Sequence, residues 1–291
     1  MTFSLDAEQL MSTDEFHLLR DCVYSHCGIF FDDESKYLLE KRLARRLSAL
    51  NLPTFRDYYH YLKYNRNKDQ ELMDIMDILT TNETYFFRES FQLKAFTDEI
   101  IPELIAGKPE GSRRTLRIWS AGCSTGEEPY TIAMLLHGIR ELRNWKIEII
   151  GTDISQRVLQ HARRAVYGKS SFRATDDHFI KRFFVEQEDG LKVCDEIRDL
   201  VTISHLNLFD VNRMVMLGRM DLVFCRNVII YFDLPAKKRV IESFYSSLND
   251  GGFLLLGHSE SLMNVTTQFT LRHFKNDMIY QRPERSGGIL P

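Results

Sequence analysis

Two glycines followed by paired carboxylates are the most chemically suggestive residues of this 291-residue chain. They lie in Arg117-Ile-Trp-Ser-Ala-Gly-Cys-Ser-Thr-Gly-Glu-Glu-Pro-Tyr130, which reads as a strand, a glycine turn and a helix opening at Pro129. A second strand, Lys146-Ile-Glu-Ile-Ile-Gly-Thr-Asp153, ends on an acid. Doubly wound sheets build nucleoside pockets this way: glycine lets the backbone approach a ligand, and the terminal acid accepts ribose hydroxyls. Gly122-x-x-x-Gly126 is not the dinucleotide fingerprint, and Glu127 and Glu128 stand where a P-loop needs Lys and Ser/Thr. Two carboxylates would repel a pyrophosphate and suit a cation. The cofactor indicated has a ribose and a positive charge but no phosphate, and S-adenosylmethionine fits. The competing reading is a structural turn with a surface acid pair.

Ligands on open parallel sheets bind beyond the carboxyl ends of the strands, so the strands themselves must be placed. Alternation from Leu116 onward predicts strands at 115–119, 147–151, 200–204, 221–225 and 252–257, and helices at 129–142, 155–165 and 235–248. Two short runs, Phe269 to His273 and Asp277 to Gln281, predict a closing hairpin. The predicted rim then carries Gly122, Glu128, Asp153, His205-Leu-Asn-Leu-Phe-Asp210, Cys225-Arg-Asn-Val-Ile-Ile-Tyr231 and Gly257-His-Ser-Glu260. Asn207 and Asn227 suit an adenine edge and the amino-acid end of a cofactor, although singly each is more often a loop cap. Residues 168–199 break the alternation and read as a small insertion.

Residues 1–90 read as an all-helical domain. Ser12-x-x-Glu15 is a capping-box start and Gly28 a stop. A helix from near Asp33 to near Asn51 carries Leu39, Leu43, Leu47 and Leu50 as one stripe, with Lys41 and Arg45 opposite and Arg42 and Arg46 flanking it. Further helices follow Thr54, span Gln70 to about Leu79, and form the start of 91–112, which ends in a linker, Ala106-Gly-Lys-Pro-Glu-Gly-Ser112. The domains expected are 1–90, helical, and 91–291, the sheet domain with its insertion.

Composition excludes several classes. Hydrophobic residues make up 44% of the chain and net charge is −3, so no global field draws it to nucleic acid or membrane. No apolar run approaches the roughly 20 residues of a membrane span, and the first residues lack signal-peptide character. Five cysteines argue for reduced thiols in the cytoplasm. Cys22, His26 and Cys27 lack a second ligand pair, so no metal is expected.

Thr80-Thr-Asn-Glu-Thr-Tyr-Phe-Phe-Arg88 reads either as a helix end with an aromatic packing patch or as a segment folding over the cofactor and joining the domains. Its Asn-x-Thr-x-Phe-Phe-Arg pattern, the Ser-x-Gly-Glu-Glu-Pro-Tyr turn and Cys-Arg-Asn-Val-x-Ile-Tyr-Phe together resemble the CheR family, S-adenosylmethionine-dependent methyltransferases of bacterial chemoreceptors. The three motifs occur in the family's order, and the resemblance covers nearly the whole chain. It implies a helical N-terminal domain joined to a class I, Rossmann-like α/β methyltransferase sheet with a small inserted β-subdomain. It also implies cofactor contacts from Asn82, Thr84, Arg88, Glu128, Asp153, Asn207, Leu208, Asn227 and Val228. The implied reaction esterifies a receptor glutamate and releases S-adenosylhomocysteine.

For that reaction Tyr85, Arg88 and Tyr231 are expected to line the methyl-transfer mouth. Lys41, Arg42, Arg45 and Arg46 are expected to dock the acidic methylation region of the receptor, against the plainer reading of a solvated basic face. The loop in Phe184-Val-Glu-Gln-Glu-Asp-Gly190 is shorter and poorer in glycine than that of family members that grip a receptor C-terminal pentapeptide, so such binding is expected to be weak or absent. A monomer without nucleic-acid or membrane partners is expected. Two alternatives compete. One is a nucleic-acid or small-molecule methyltransferase, disfavoured because no proline pair follows Asn227. The other is a non-catalytic cofactor sensor or receptor scaffold.

Overall fold

The computed structural model describes residues 10–108 and 114–284; the first residues and most of the expected linker lie outside them. Contacts divide the chain into two units. One runs to Thr81 and includes Tyr231–Ala236, and the other comprises Asn82–Ile230 and Lys237 onward. The division falls inside the Thr80–Arg88 motif, earlier than residue 90.

The first unit is helical: α1 (Thr13–Cys27), α2 (Lys36–Leu50), α3 (Phe55–Tyr64) and α4 (Lys68–Leu79). Local chemistry sets their ends. Ser12 and Glu15 exchange hydrogen bonds in the expected capping box, and Gly28, at φ 77°, donates its N–H to the Tyr24 carbonyl. Asp32 caps a short 3-10 turn, Asp33–Ser35, so α2 itself opens at Lys36 rather than Asp33. Leu39, Leu43 and Leu47 are buried; Leu50 is only half-buried because the helix is ending at Asn51 in the left-handed conformation.

The basic residues of α2 do not act as one stripe. Lys41 and Arg45 are exposed, as their opposite-face spacing predicts. Arg42 instead donates to the Leu79 carbonyl, and Arg46 is held by Glu71 at 2.6 and 2.8 Å and Asp74 at 2.7 Å. Glu71 is buried and also accepts from the buried Tyr58 hydroxyl, whose ionisation burial and this bond push far up. Arg42 and Arg46 therefore fasten α2 to α4, and of the four basic residues expected to dock only Lys41 and Arg45 are fully exposed. A guanidinium beside the bundle finds buried carboxylates and free helix-end carbonyls before it finds solvent.

The second unit opens with α5 (Ser90–Ala95), continued by a π-type turn, Phe96–Ile100, into α6 (Ile101–Gly107). Then β1 (Thr115–Ala121), α7 (Glu127–His137), β2 (Lys146–Asp153) and α8 (Gln156–Arg164) alternate as expected. The insertion contains β3 (Val166–Tyr167), α9 (Asp177–Phe183), β4 (Phe184–Gln187), β5 (Gly190–Val193) and α10 (Asp195–Arg198). The main sheet resumes with β6 (Val201–His205), α11 (Val211–Met216), β7 (Met220–Cys225), α12 (Leu234–Ser247), β8 (Leu248–Leu256) and the hairpin β9 (Thr270–His273) and β10 (Met278–Gln281). The insertion is mixed, with two short helices beside its three strands in the order β3-β5-β4.

Among the described residues the main sheet has seven strands, in the order β6-β2-β1-β7-β8-β10-β9. The first five run parallel, and β10 pairs antiparallel with both β8 and β9. This is the class I α/β sheet. β7 is buried at every position, as a central strand covered on both faces must be. The strand order reverses between β1 and β7, which places the crevice beyond their carboxyl ends. No helix of the described residues is long and apolar enough to cross a membrane.

Arg46→Met should remove about 3 kcal/mol of stability by leaving Glu71 buried without its partner, read from the urea midpoint. Lys41→Met should leave that midpoint within about 0.5 kcal/mol of wild type. Equal, small effects would sink the distinction.

Candidate active site

Three tips meet at the strand-order reversal. After β1 the backbone turns at Gly122, φ 78°, where its N–H and that of Cys123 both reach the Thr152 carbonyl on β2. A Cβ at Gly122 would stand 2.4 Å from Val228 Cγ2, so the β1 and β7 tips touch only because residue 122 is glycine. Ser124, also at positive φ, donates its N–H to Asp153 Oδ2 at 2.9 Å. Ser155 N–H donates to Asp153 Oδ1 at 2.9 Å. The carboxylate expected to take the ribose is therefore anchored by two backbone amides, in the buried position its place at the end of β2 predicts.

The acid pair at the start of α7 divides. Glu127 is buried; it accepts from Thr125 Oγ1 at 2.6 Å and Ser171 Oγ at 3.0 Å, and so ties α7 to the insertion. Glu128 accepts from Ser120 Oγ at 2.7 Å and lies 3.5 Å from Arg226 Nη1, with its side chain 16% exposed. Burial raises the carboxyl pKa of both above its ordinary value; at Glu128 the Arg226 guanidinium pulls the other way. Only Glu128 thus remains as the acid that could face a cofactor cation. Their adjacency in sequence could not separate them, because consecutive residues on a helix point about 100° apart.

Arg226, in the Cys225-Arg-Asn-Val segment, is a site residue that sequence alone gives no role. It is buried, bonds Glu89 Oε2 through Nε and Nη2 at 3.2 and 3.1 Å, and donates to the Arg88 carbonyl. It therefore links Glu128 to the segment carrying Arg88. That segment is shaped by two left-handed residues, Phe87 and Glu89, both at φ 58°. Phe86 packs among Tyr167, Phe172 and Phe184, and Phe87 against Phe179, so the aromatic patch is real. Arg88 stays outside it, over the Tyr85 ring and donating to the Glu83 carbonyl at 3.0 Å; Arg173 covers the same ring at 3.8 Å. Asn82 and Thr84 are half-buried just before Phe86.

Beyond β6, Asn207 Oδ1 accepts from Phe209 N–H in a local turn, beside buried Leu208. Leu206 N–H reaches the Asp153 carbonyl, so this tip adjoins that of β2. Asn227 sits at φ 60°, with Oδ1 buried and without a hydrogen-bond partner; Ser124 Oγ is likewise buried and unpaired. Orphaned polar atoms beside a glycine cradle and two anchored carboxylates suit a cofactor with amino, hydroxyl and cationic groups. Tyr231 groups with the helical unit, its carbonyl accepting from Phe30 N–H.

Comparison with known proteins agrees with this arrangement. Residues 14–80 match a family model described as CheR methyltransferase, all-alpha domain, and residues 82–278 one described as CheR methyltransferase, SAM binding domain. The chain is 36% identical to chemotaxis protein methyltransferase 2 of Vibrio cholerae, over 96% of each chain. It is 36% identical to a chemotaxis protein methyltransferase of Borreliella burgdorferi, covering 87% of this chain and 89% of that one. For the Salmonella typhimurium protein of that name the figures are 32%, 92% and 91%. The second family match assigns S-adenosylmethionine binding to the sheet unit.

Gly122→Ala should weaken S-adenosylhomocysteine binding at least ~10-fold in calorimetry, because its methyl meets Val228 and its φ is left-handed. Val228→Ala in the same chain should recover part of the loss. Wild-type affinity in Gly122→Ala would remove this turn from the cofactor site.

Proposed function

Because the chain belongs to the CheR methyltransferase family, we propose that its acceptor is a glutamate side chain in the cytoplasmic methylation region of a transmembrane chemoreceptor. The products are then a glutamate γ-methyl ester and S-adenosylhomocysteine. The observation that carries the acceptor class is Arg88: a cation held over Tyr85, with its backbone tied through Arg226 to the acid Glu128. Such a group suits an anionic acceptor. A methyltransferase for nucleic acid would be expected to show a phosphate-binding footprint, which a net charge of −3 does not favour.

Bound S-adenosylmethionine supplies a methyl group activated on a sulfonium. A receptor glutamate with an ordinary pKa of about 4.3 arrives ionised, so the protein needs no general base. What its residues must do is align two groups and exclude water. Alignment alone can supply several kcal/mol, and meeting charges are helped by partial desolvation. Glu128 holds the cofactor's ammonium and Asp153 its ribose. Asn82, Thr84, Gly122, Asn207, Leu208, Asn227 and Val228 complete the cofactor contacts. Arg88 guides the incoming carboxylate, with Tyr85 lining the mouth.

Docking falls to Lys41 and Arg45, the exposed pair of α2, against an acidic receptor helix. The insertion is proposed to bind a receptor C-terminal pentapeptide weakly or not at all. Its β4–β5 turn is only Glu188 and Asp189, both acids that would oppose a peptide carboxylate. The protein is proposed to act as a cytoplasmic monomer, without nucleic acid or membrane insertion.

With methyl-labelled cofactor and a receptor cytoplasmic fragment, mild alkali should release the label as methanol. Alkali-stable label would overturn glutamate esterification. Arg88→Ala should cut turnover about 100-fold; full turnover would dismiss its role. Lys41→Glu with Arg45→Glu should raise KM several-fold at nearly constant kcat, and an unchanged KM would end the docking idea. Micromolar binding of the pentapeptide in calorimetry would refute the reading of the insertion.

A further inference from the structure

The tips of β7 and β8 are fastened by one side chain that no step above uses. Glu260 Oε2 accepts N–H bonds from Asn227 at 2.7 Å and Gly257 at 2.8 Å. Its Oε1 accepts from Val228 at 2.9 Å and Ile230 at 3.3 Å. Three of these four donors belong to the β7 tip, which includes the proposed cofactor contacts Asn227 and Val228. The loop closes on itself, with Glu260 N–H donating to the Gly257 carbonyl at 2.8 Å. Space is tight: a Cβ at Gly257 would lie 2.9 Å from Asn227 Nδ2 and 3.0 Å from Glu260 Oε2.

Two features show what the fastening achieves. Asn227 is held at φ 60°, a conformation a non-glycine residue keeps only when its surroundings dictate it, and its Oδ1 is buried with no partner in the protein. Val228 is pressed onto Gly122, so whatever fixes the β7 tip also fixes its contact with the β1 turn. The geometry points to Glu260 as a positioning residue of the cofactor site, holding the Asn227–Val228 turn in the conformation that keeps Asn227 Oδ1 available to the cofactor. This rests on the proposed cofactor contacts of Asn227 and Val228.

A carboxylate is required here by the count of acceptors. Each oxygen takes two N–H donors, so the amide of a glutamine, in either orientation, sets its NH2 against two of them. Glu260→Gln is nearly isosteric and yet cannot serve. Glu260→Asp keeps the charge but retracts it by one methylene.

The test is calorimetric binding of S-adenosylhomocysteine to the full-length wild type, Glu260→Gln, Glu260→Asp, Asn227→Ala and the Asn227→Ala/Glu260→Gln double variant, with folding checked by thermal melting. Glu260→Gln is expected to lose at least ~10-fold in affinity and Glu260→Asp a smaller factor. The double variant should be little weaker than the weaker single variant, since a residue acting through Asn227 has nothing left to position once Asn227 is removed. A purely structural role would instead multiply the two losses, and that result overturns the inference. Wild-type affinity in Glu260→Gln also overturns it, as does wild-type affinity in Glu260→Asp if Glu260→Gln does not fold. Loss of the reading beneath it looks different: Asn227→Ala would then bind as tightly as wild type.

Discussion

A parallel strand that ends at a sheet rim leaves backbone N–H groups with no ladder partner, and buried amides must be paired. Much of the candidate site follows from how this chain answers that constraint. Asp153 takes the N–H groups of Ser124 and Ser155, and Glu260 takes those of Asn227, Val228, Ile230 and Gly257. Acids used this way shape the turns, and they leave the rim rich in anchored negative charge where the strand order reverses. A cofactor that carries a cation and a ribose is complementary to such a rim; a pyrophosphate is not.

Charge is then balanced locally rather than exported. Arg226 sits among Glu89 and Glu128 with its side chain only 3% exposed. It also binds the Arg88 carbonyl, so the same cation that offsets the acid near the cofactor fixes the backbone of the residue proposed to meet the acceptor. In the helical unit Arg46 performs a comparable service for Glu71 and Asp74. Both arginines use the planar fork that suits bidentate contact with carboxylates. Arg45, the sequence neighbour of Arg46, is left exposed.

Much of the fold could be read from periodicity. The capping box at Ser12 and Glu15 and the left-handed stop at Gly28 depend on residues close in sequence, and the strands of the sheet unit lie close to where alternation places them, although α7 spans Glu127–His137 rather than 129–142 and α11 is not expected from the pattern. The insertion is less legible: its helices are seven and four residues long, too short for a hydrophobic period to register. The opening of α2 moved to Lys36 because Asp32 caps a 3-10 turn first, a choice that turns on one side-chain hydrogen bond.

Residue type and spacing alone determined the class of sheet, the glycine turn, the acid at the end of β2 and the charge and shape a cofactor must have. These are properties of contiguous segments, set by backbone sterics and by which side chains a strand end can present. Tertiary structure alone decided which of Glu127 and Glu128 stays available, which of the four basic residues on α2 remain exposed, and that Arg226 and Glu260 hold the site together. Each of those outcomes depends on partners far away in sequence: Ser171 for Glu127, Glu71 for Arg46, Glu89 for Arg226 and Asn227 for Glu260. A charged side chain commits to whichever buried partner folding brings within hydrogen-bond reach, and no local spacing encodes that meeting.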